Sequence, residues 1–484
     1  MLLSDSRCRP RTAASRAVSA AAVIAVAVLS LAGTTRPAHA AVSTALLRYP
    51  YLTDVVGTSA TVNWGTDRSA TSGSVSYGKV GAESCTAHQQ SGTRFGTVVN
   101  GVSEYQWHAG LVVEPDTQYC YRVQLAGQDL LGSDPSPAFW TQVPAGSTSS
   151  FSFAVFGDWG VAHTAGNPDQ AAVMAQIARS GARFAVTTGD NAYSTGRQKN
   201  YGDLVQVGDY VSGVFGPAFW TVPGRSIPNF PTLGNHGYTA PENPNPHLVN
   251  WPQDSAVSGS GGTYGMQTYC CLHGTSSDTY PTAWYAFDVG NARFYILDAS
   301  WDESNVGTAT MYEVDRDYHW TTSSAEYQWL LQDLAGHANQ VKFAFLHFPM
   351  YSDAQGQHSD TFLQGPTDTL ESLFNKYGVD IAFSGHAHVY ERNVPTHGDR
   401  FVTYVTGGGG AQIGSLGTCQ AYDAYAIGWS YSSNAGRACG AASPPTSPSG
   451  VFHFLLVTVS GTNVTVQPTD ESGNVFDAQT YSVS

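Results

Sequence analysis

Basic residues are scarce in this chain. It carries 22 Lys and Arg against 37 Asp and Glu, a net charge of −15 over 484 residues. Charge of that sign repels phosphate backbones and argues against non-specific nucleic acid binding. Long apolar runs are also rare. The one candidate, Val18 to Leu31, is short and Ala-rich, and no later segment approaches the length of a membrane span. Cysteine is sparse, seven residues in all, and no Cys-x-x-Cys pair occurs, which argues against a zinc ribbon or a thioredoxin-like site. The tetraglycine Gly407–Gly410 is followed by neither Lys-Ser/Thr nor a helix, so it is not a P-loop. Its small residues fit a turn packed close beneath a functional site.

What is present begins at the N-terminus. Arg7, Arg9, Arg11 and Arg16 precede the apolar stretch, and Ala38-His39-Ala40 follows it as a small-x-small site. This pattern predicts a secretory signal peptide over residues 1–40, cleaved near Ala40, and a secreted chain with no membrane attachment afterwards. Cleavage leaves 17 basic against 36 acidic residues, a charge of −19. It also removes Cys8 and leaves Cys85, Cys120, Cys270, Cys271, Cys419 and Cys439, an even number suited to disulfides. Six cysteines allow about 15 pairings. We expect Cys85–Cys120 inside one domain and Cys419–Cys439 closing a surface loop, with Cys270 and Cys271 either vicinally paired or crossing to that loop.

Composition divides the remainder near Pro144–Ser150, a Gly/Ser/Thr/Pro linker. Residues 41–146 read as short strands of period two, for example Ser59–Trp64 and Gln118–Leu125, and predict an all-β, immunoglobulin-like sandwich. Residues 147–484 alternate strands with helices and predict an α/β layered fold. A helix opens at Asn167-Pro168-Asp169, another after the capping box Ser323-x-x-Glu326, and a third covers about Thr367 to Lys376. Gly290-Asn291 and Gly461-Thr462-Asn463 mark hairpins, the second within the C-terminal region from about residue 401. The Gly/Ser/Pro/Asn-rich stretch 238–283 predicts a long irregular rim loop. Trp220, Trp251 and Tyr264 are read either as rim aromatics gripping a ligand or as buried packing.

Metal-competent side chains sit at the ends of the apolar runs. Asp158, Asp190, His347 and His386 each close one, and Asn235 follows Phe230-Pro231-Thr232-Leu233. In α/β folds ligands bind beyond the carboxyl ends of the strands, so five such ends predict one converging site. Two carboxylates, the Tyr193 phenol and the Asn235 amide are hard donors, and His347, His386 and His388 are borderline ones. That mixture suits a hard, highly charged ion beside a divalent Zn, Fe or Mn, bridged by a carboxylate at about 3.5–4 Å. A pair of ions that close clamps phosphate oxygens and supplies a hydroxide nucleophile at moderate pH.

The ordered set Gly157-Asp158-Trp159-Gly160, Gly189-Asp190-Asn191-Ala192-Tyr193, Gly234-Asn235-His236, Leu346-His347 and Gly385-His386-Ala387-His388 resembles the purple acid phosphatases of the metallophosphoesterase superfamily. Tyr193 supplies the feature that separates these from most relatives. The stretch Leu111-x-x-x-Pro115-x-Thr117-x-Tyr119-x-Tyr121 is similar to the tyrosine corner of fibronectin type III domains. The resemblance implies a metallophosphoesterase β-sandwich flanked by helices and a small-molecule phosphate ester substrate. It implies that Asp158, Tyr193 and His388 bind Fe(III), that Asp190 bridges, and that Asn235, His347 and His386 complete the divalent site. His236 would meet the phosphate or protonate the leaving group.

Two departures stand out. Gly237 replaces the acidic residue that usually follows Gly-Asn-His. The substrate-side His, usually nine or ten residues after the metal His, has His358 as its nearest counterpart, eleven on; His358 either touches substrate or is a solvated loop residue. Three readings follow: a secreted acid phosphatase acting on monoesters by metal-hydroxide attack, a phosphodiesterase or nucleotidase with the same metals, or a catalytically dead extracellular binding or adhesion protein.

Overall fold

The computed structural model describes residues 42–162, 166–205, 213–238, 240–255, 260–270, 277–300, 319–338, 340–394 and 400–483. The expected signal peptide and Cys271 lie outside the described residues.

Two large sheets pack face to face. One has ten strands in the order 479–482, 463–470, 453–460, 151–156, 184–187, 229–231, 46–56, 59–66, 102–112 and 93–99. The other has nine, with Ala292–Ile296, Val341–Phe345, Ile381–Ser384 and Val402–Thr406 parallel at its centre. The Phe-rich strands follow from this arrangement. In Phe151–Phe156 alternate residues point to opposite faces, and both faces are covered. Phe151, Phe153 and Val155 enter the layer between the sheets, where Phe153 meets Phe184 at 5.2 Å and Phe294 at 5.1 Å. Ala154 and Phe156 face outward onto Val173, Met174 and Ile177 of the helix Pro168–Arg179. Across the second sheet, Ala344, Leu346 and Ala382 pack against Leu330, Leu334, Leu373 and Phe374 of the helices Ala325–Gly336 and Leu370–Tyr377. The result is a sandwich flanked by helices on both sides, as the family resemblance implied; the alternating pattern alone implied a layered α/β fold.

The first helix starts as expected: Asn167 accepts from the Gln170 N–H and Pro168 occupies the first turn. The second differs by one residue. Ser324, not Ser323, is the N-cap, because its extended backbone lets Oγ accept from the Tyr327 N–H. Glu326 consequently turns inward, where it accepts from the Asp298 N–H and pairs with His319. The segment 238–283 is not one irregular loop. It holds the short helix Pro246–Asn250 and the antiparallel pair Thr263–Cys270 and Ser277–Val289. Its polar composition hid that ladder, since backbone hydrogen bonds carry no sequence signal of their own.

The N-terminal segment forms strands from Leu46 to Trp140 around Leu52, Val62, Trp64, Trp107 and Val123. The Tyr119 hydroxyl accepts from the Glu114 N–H at 3.0 Å. This segment is not closed off from the rest. Leu46–Val56 runs parallel to Asn229–Pro231 and joins the ten-stranded sheet. Disulfides link Cys85 to Cys120 and Cys419 to Cys439.

Candidate metal centre

The parallel strands Phe151–Phe156, Phe184–Thr187 and Asn229–Pro231 of one sheet, and Val341–Phe345 and Ile381–Ser384 of the other, end on the same rim. Asp158, Asp190, Asn235, His347 and His386 stand just beyond those ends. Carboxylate and imidazole atoms of Asp158, Asp190 and His347 lie within 4.8 Å of one another, and all three residues are buried.

The turns that present them are tightly nested. A Cβ on Gly189 would lie 2.3 Å from His347 Nδ1, and one on Gly234 would lie 2.1 Å from the Asp190 nitrogen. The glycines before Asp190 and Asn235 are therefore required by the approach of the neighbouring turn. Asp158, Asp190 and His386 themselves adopt φ of +57°, +45° and +65°. For non-glycine residues this left-handed geometry costs on the order of 1–3 kcal/mol each, and it gathers where function over-determines the backbone. The tetraglycine contributes from below. The Gly409 N–H donates to Gly157 O at 2.9 Å and the Ala411 N–H to Asp158 O at 2.8 Å.

Asp158 is the hub of one half of the site. Its carboxylate accepts from the His386 N–H at 2.9 and 3.1 Å and from the Tyr193 hydroxyl at 3.1 Å. His388 Nε2 is 3.4 Å from Asp158 Oδ1 and 3.1 Å from the Tyr193 hydroxyl. The other half is built on Asp190. Its Oδ1 accepts from the His236 N–H at 2.9 Å and lies 3.4 Å from His347 Nε2. Asn235 Oδ1 is 2.8 Å from that same Nε2.

The ring tautomers show that these donors fit a cation. His347 Nδ1–H donates to Thr188 O at 2.9 Å, and His388 Nδ1–H donates to Gln412 O at 2.8 Å. His347 thus turns Nε2 toward two acceptors, Asn235 Oδ1 and Asp190 Oδ1, a repulsive pairing unless a proton or metal ion lies between, while His388 turns Nε2 toward Asp158 Oδ1 and the Tyr193 hydroxyl. In the metal-free protein the proton fills that role. Burial opposes the charged His347 ring, yet Asp190 outweighs it and holds the imidazolium up at about 9. His388 is raised in the same sense: burial again opposes, and the hydrogen bond and charge of Asp158 prevail. Burial pushes His386 well down, with the neighbouring His347 adding to it, which leaves a neutral ring with a free lone pair. Burial, reinforced by Asp158 and Asp190, raises the Tyr193 phenol well above its ordinary value, so only a strong cation beside it would favour the phenolate.

His236 differs from the others. It is half-exposed, with Nε2 3.7 Å from Asp190 Oδ2, Nδ1 against Ser194 O, and its ring 4.5 Å from that of Tyr193. It lines the open side of the cluster. His358 is exposed and makes no hydrogen bond or ion pair with the cluster among the described residues. Its neighbour Gln357 does engage, through His386 O and the His388 N–H. The position of Gln357, ten residues after His347, was the signal for it, obscured by attention to histidine. Asn191 joins three turns: Trp159 Nε1–H and Thr187 Oγ1–H donate to its Oδ1, and its Nδ2–H donates to Thr232 O. Gly237, where an acidic residue was expected, is buried and leaves Leu233 as the nearest neighbour of its missing side chain. Trp220 and Trp251 are fully buried beside Trp159, and the Tyr264 hydroxyl donates to Trp251 O, so these aromatics pack and do not form a rim.

Residues 151–390 match the calcineurin-like phosphoesterase family, and this part of the chain is a domain of that class. Its relatives include purple acid phosphatases. The chain is 25% identical over 374 residues to an acid phosphatase of Aspergillus ficuum, a match covering 58% of this chain and 59% of the relative. It is 30% identical over 122 residues to purple acid phosphatase 23 of Arabidopsis thaliana, covering 25% and 22% respectively. These matches span less than two thirds of either relative. The fold is shared with the purple acid phosphatase PPD1 from yellow lupin (Lupinus luteus) seeds, at a TM-score of 0.62 and 18% identity over 90% of this chain and 74% of that one.

Proposed function

We infer that the protein is a secreted acid phosphatase that hydrolyses small phosphate monoesters at a dinuclear metal centre. One observation carries this reading. His347 and His388 each commit Nδ1–H to a backbone carbonyl and turn Nε2 toward oxygen atoms, an arrangement that a cation at each Nε2 would satisfy, and the two halves are joined by Asp158 and Asp190. Tyr193, Asp158 and His388 would hold Fe(III); Asn235, His347 and His386 would hold a divalent Zn, Fe or Mn; Asp190 would bridge. When bound, such a pair supplies Lewis-acid charge for the phosphoryl oxygens and lowers the pKa of water. The chain's own residues do the rest. Asn235 and the half-exposed His236 orient the ester from the open side, and His236 offers a proton to the leaving oxygen. The disulfides and the relatives' names support export and acid phosphatase activity, and the Tyr119 corner supports a fibronectin type III-like N-terminal domain.

The test combines metal analysis with turnover of p-nitrophenyl phosphate, bis-p-nitrophenyl phosphate and nucleotides. Two metals per chain with monoester preference supports the reading. Diester or nucleotide preference moves the substrate and keeps the site. Fewer than about one metal per chain, without turnover, would leave a binding protein.

A further inference from the structure

Between its two histidine donors the chain makes a strained turn. His386 sits at φ +65°, and its N–H is held by the Asp158 carboxylate. Its carbonyl is held from the opposite side by Gln357 Nε2–H. Two residues on, the His388 N–H donates to Gln357 Oε1 at 3.3 Å. One planar amide therefore meets one backbone carbonyl and one backbone N–H on either side of Ala387. Those two groups need a donor and an acceptor on the same side chain. An amide supplies both, a carboxylate only acceptors, a thioether essentially neither.

The loop that carries Gln357 is itself anchored. Ala354 pairs with Leu416, the Gln355 N–H donates to Ser415 O at 2.7 Å, and the Gln357 N–H donates to Ala354 O at 3.2 Å. Gln355, Gly356 and His358 are all exposed, and Gln357 alone turns in. His388 is tied to the same segment, since its carbonyl accepts from the Gly414 N–H at 2.7 Å.

We propose that Gln357 is a positioning residue that clasps the His386–His388 turn and fixes the backbone from which both imidazoles project. This rests on the reading of those histidines as metal donors. Partners of ligating residues that act from the outer shell typically change metal affinity or activity by about 10–100-fold when lost.

The experiment uses the full-length secreted protein and three variants: Gln357→Met, which keeps volume without the amide; Gln357→Glu, which keeps the acceptor for His388 and sets an oxygen against the His386 carbonyl; and Gln355→Ala as a control on the same loop. Metal retention is titrated against a graded chelator and read by elemental analysis. Thermal unfolding of the stripped proteins, kcat and KM are measured alongside. The expected result is a metal dissociation constant raised about 10–100-fold in both Gln357 variants, a fall in kcat at saturating metal, little change in KM, and a control equal to wild type. Wild-type metal affinity in both variants overturns the proposal. So does an effect confined to KM, which would place Gln357 against substrate, or a failure of both variants to fold, which would make it a general structural residue. A wild-type protein that binds no metal and turns over no ester defeats the underlying reading; a competent wild type with indifferent Gln357 variants defeats only this one.

Discussion

His347 Nε2 lies 2.8 Å from the side-chain oxygen of Asn235, while its Nδ1–H is committed to Thr188 O. In the metal-free protein a second proton must bridge these atoms, and Asp190 holds the imidazolium up at about 9 against an unfolded value of about 6.5. A raised histidine pKa stabilises the folded state fully below about pH 6.5, and that contribution is lost as pH rises through about 9. Asp190 is shifted the other way: burial opposes, but its interactions with His347 and His236 outweigh it, so its share fades only in acid. Chelator-stripped protein should therefore lose stability, on the order of 3 kcal/mol, between pH 6.5 and 9.5 at about 1.4 kcal/mol per pH unit. His347→Gln should lose much less over that range. Equal pH profiles for the two proteins in thermal unfolding would contradict the assignment. Metal uptake near neutral pH should also release a proton, measurable in weakly buffered solution.

Tyr193 permits a spectroscopic test. Burial and two carboxylates disfavour its phenolate, so a visible phenolate-to-iron band requires Fe(III) directly at its oxygen. Iron-loaded, oxidised protein should be violet. Tyr193→Phe should abolish the band while the remaining donors retain metal. An iron-containing wild type without the band would remove Tyr193 from the ligand set.

Two histidines should behave oppositely. His236→Ala should lower kcat by roughly 10²–10⁴-fold with both metals kept, because His236 lines the open side and offers a proton there. His358→Ala should change kcat/KM less than about threefold, because its exposed ring has no bond to the cluster. Loss of metal from His236→Ala would make it a ligand.

Much of this site was legible because its chemistry is local. A metal-competent side chain at the end of an apolar run, such as Asp158 or His347, states both the strand and the donor, and five such ends point to one rim. The aromatic strands were legible for the same reason, since Phe153 and Phe156 serve opposite covered faces. Less could be read where the signal lies in the backbone. Gln412 and Thr188 act through carbonyls, which every residue has, so nothing marks them in sequence. Ser323 and Ser324 are both competent caps, and only the extended φ, ψ of Ser324 decides between them. Of the pair Thr263–Cys270 and Ser277–Val289, only Trp284–Val289 was legible, as one arm of the Gly290-Asn291 hairpin; the rest carries Gly, Ser and Thr among its apolar residues.

The continuity of the ten-stranded sheet makes the N-terminal segment part of the catalytic fold. Thr53 pairs with Asn229, the first residue of the strand that leads to Asn235. Arg48, fully buried, donates to Asp203 Oδ1 at 2.9 Å, to Asn250 Oδ1 at 2.6 Å and to Gly202 O at 2.9 Å. The Tyr51 hydroxyl donates to Asn250 O at 2.7 Å, and its ring packs on Phe215 and Trp251. Expressing residues 147–484 alone would strip one edge of the Asn229–Pro231 strand and leave Asp203 buried without its cation. A buried charge robbed of its partner costs about 3–5 kcal/mol, and an open sheet edge invites aggregation. The fragment should therefore be insoluble or hold no metal. In the full-length chain, Arg48→Met should lower stability to denaturant by about 3–5 kcal/mol. The metal ligands would be untouched, so turnover at low temperature should survive. A soluble 147–484 fragment with full metal content and wild-type melting would show that the two segments fold independently despite their shared sheet.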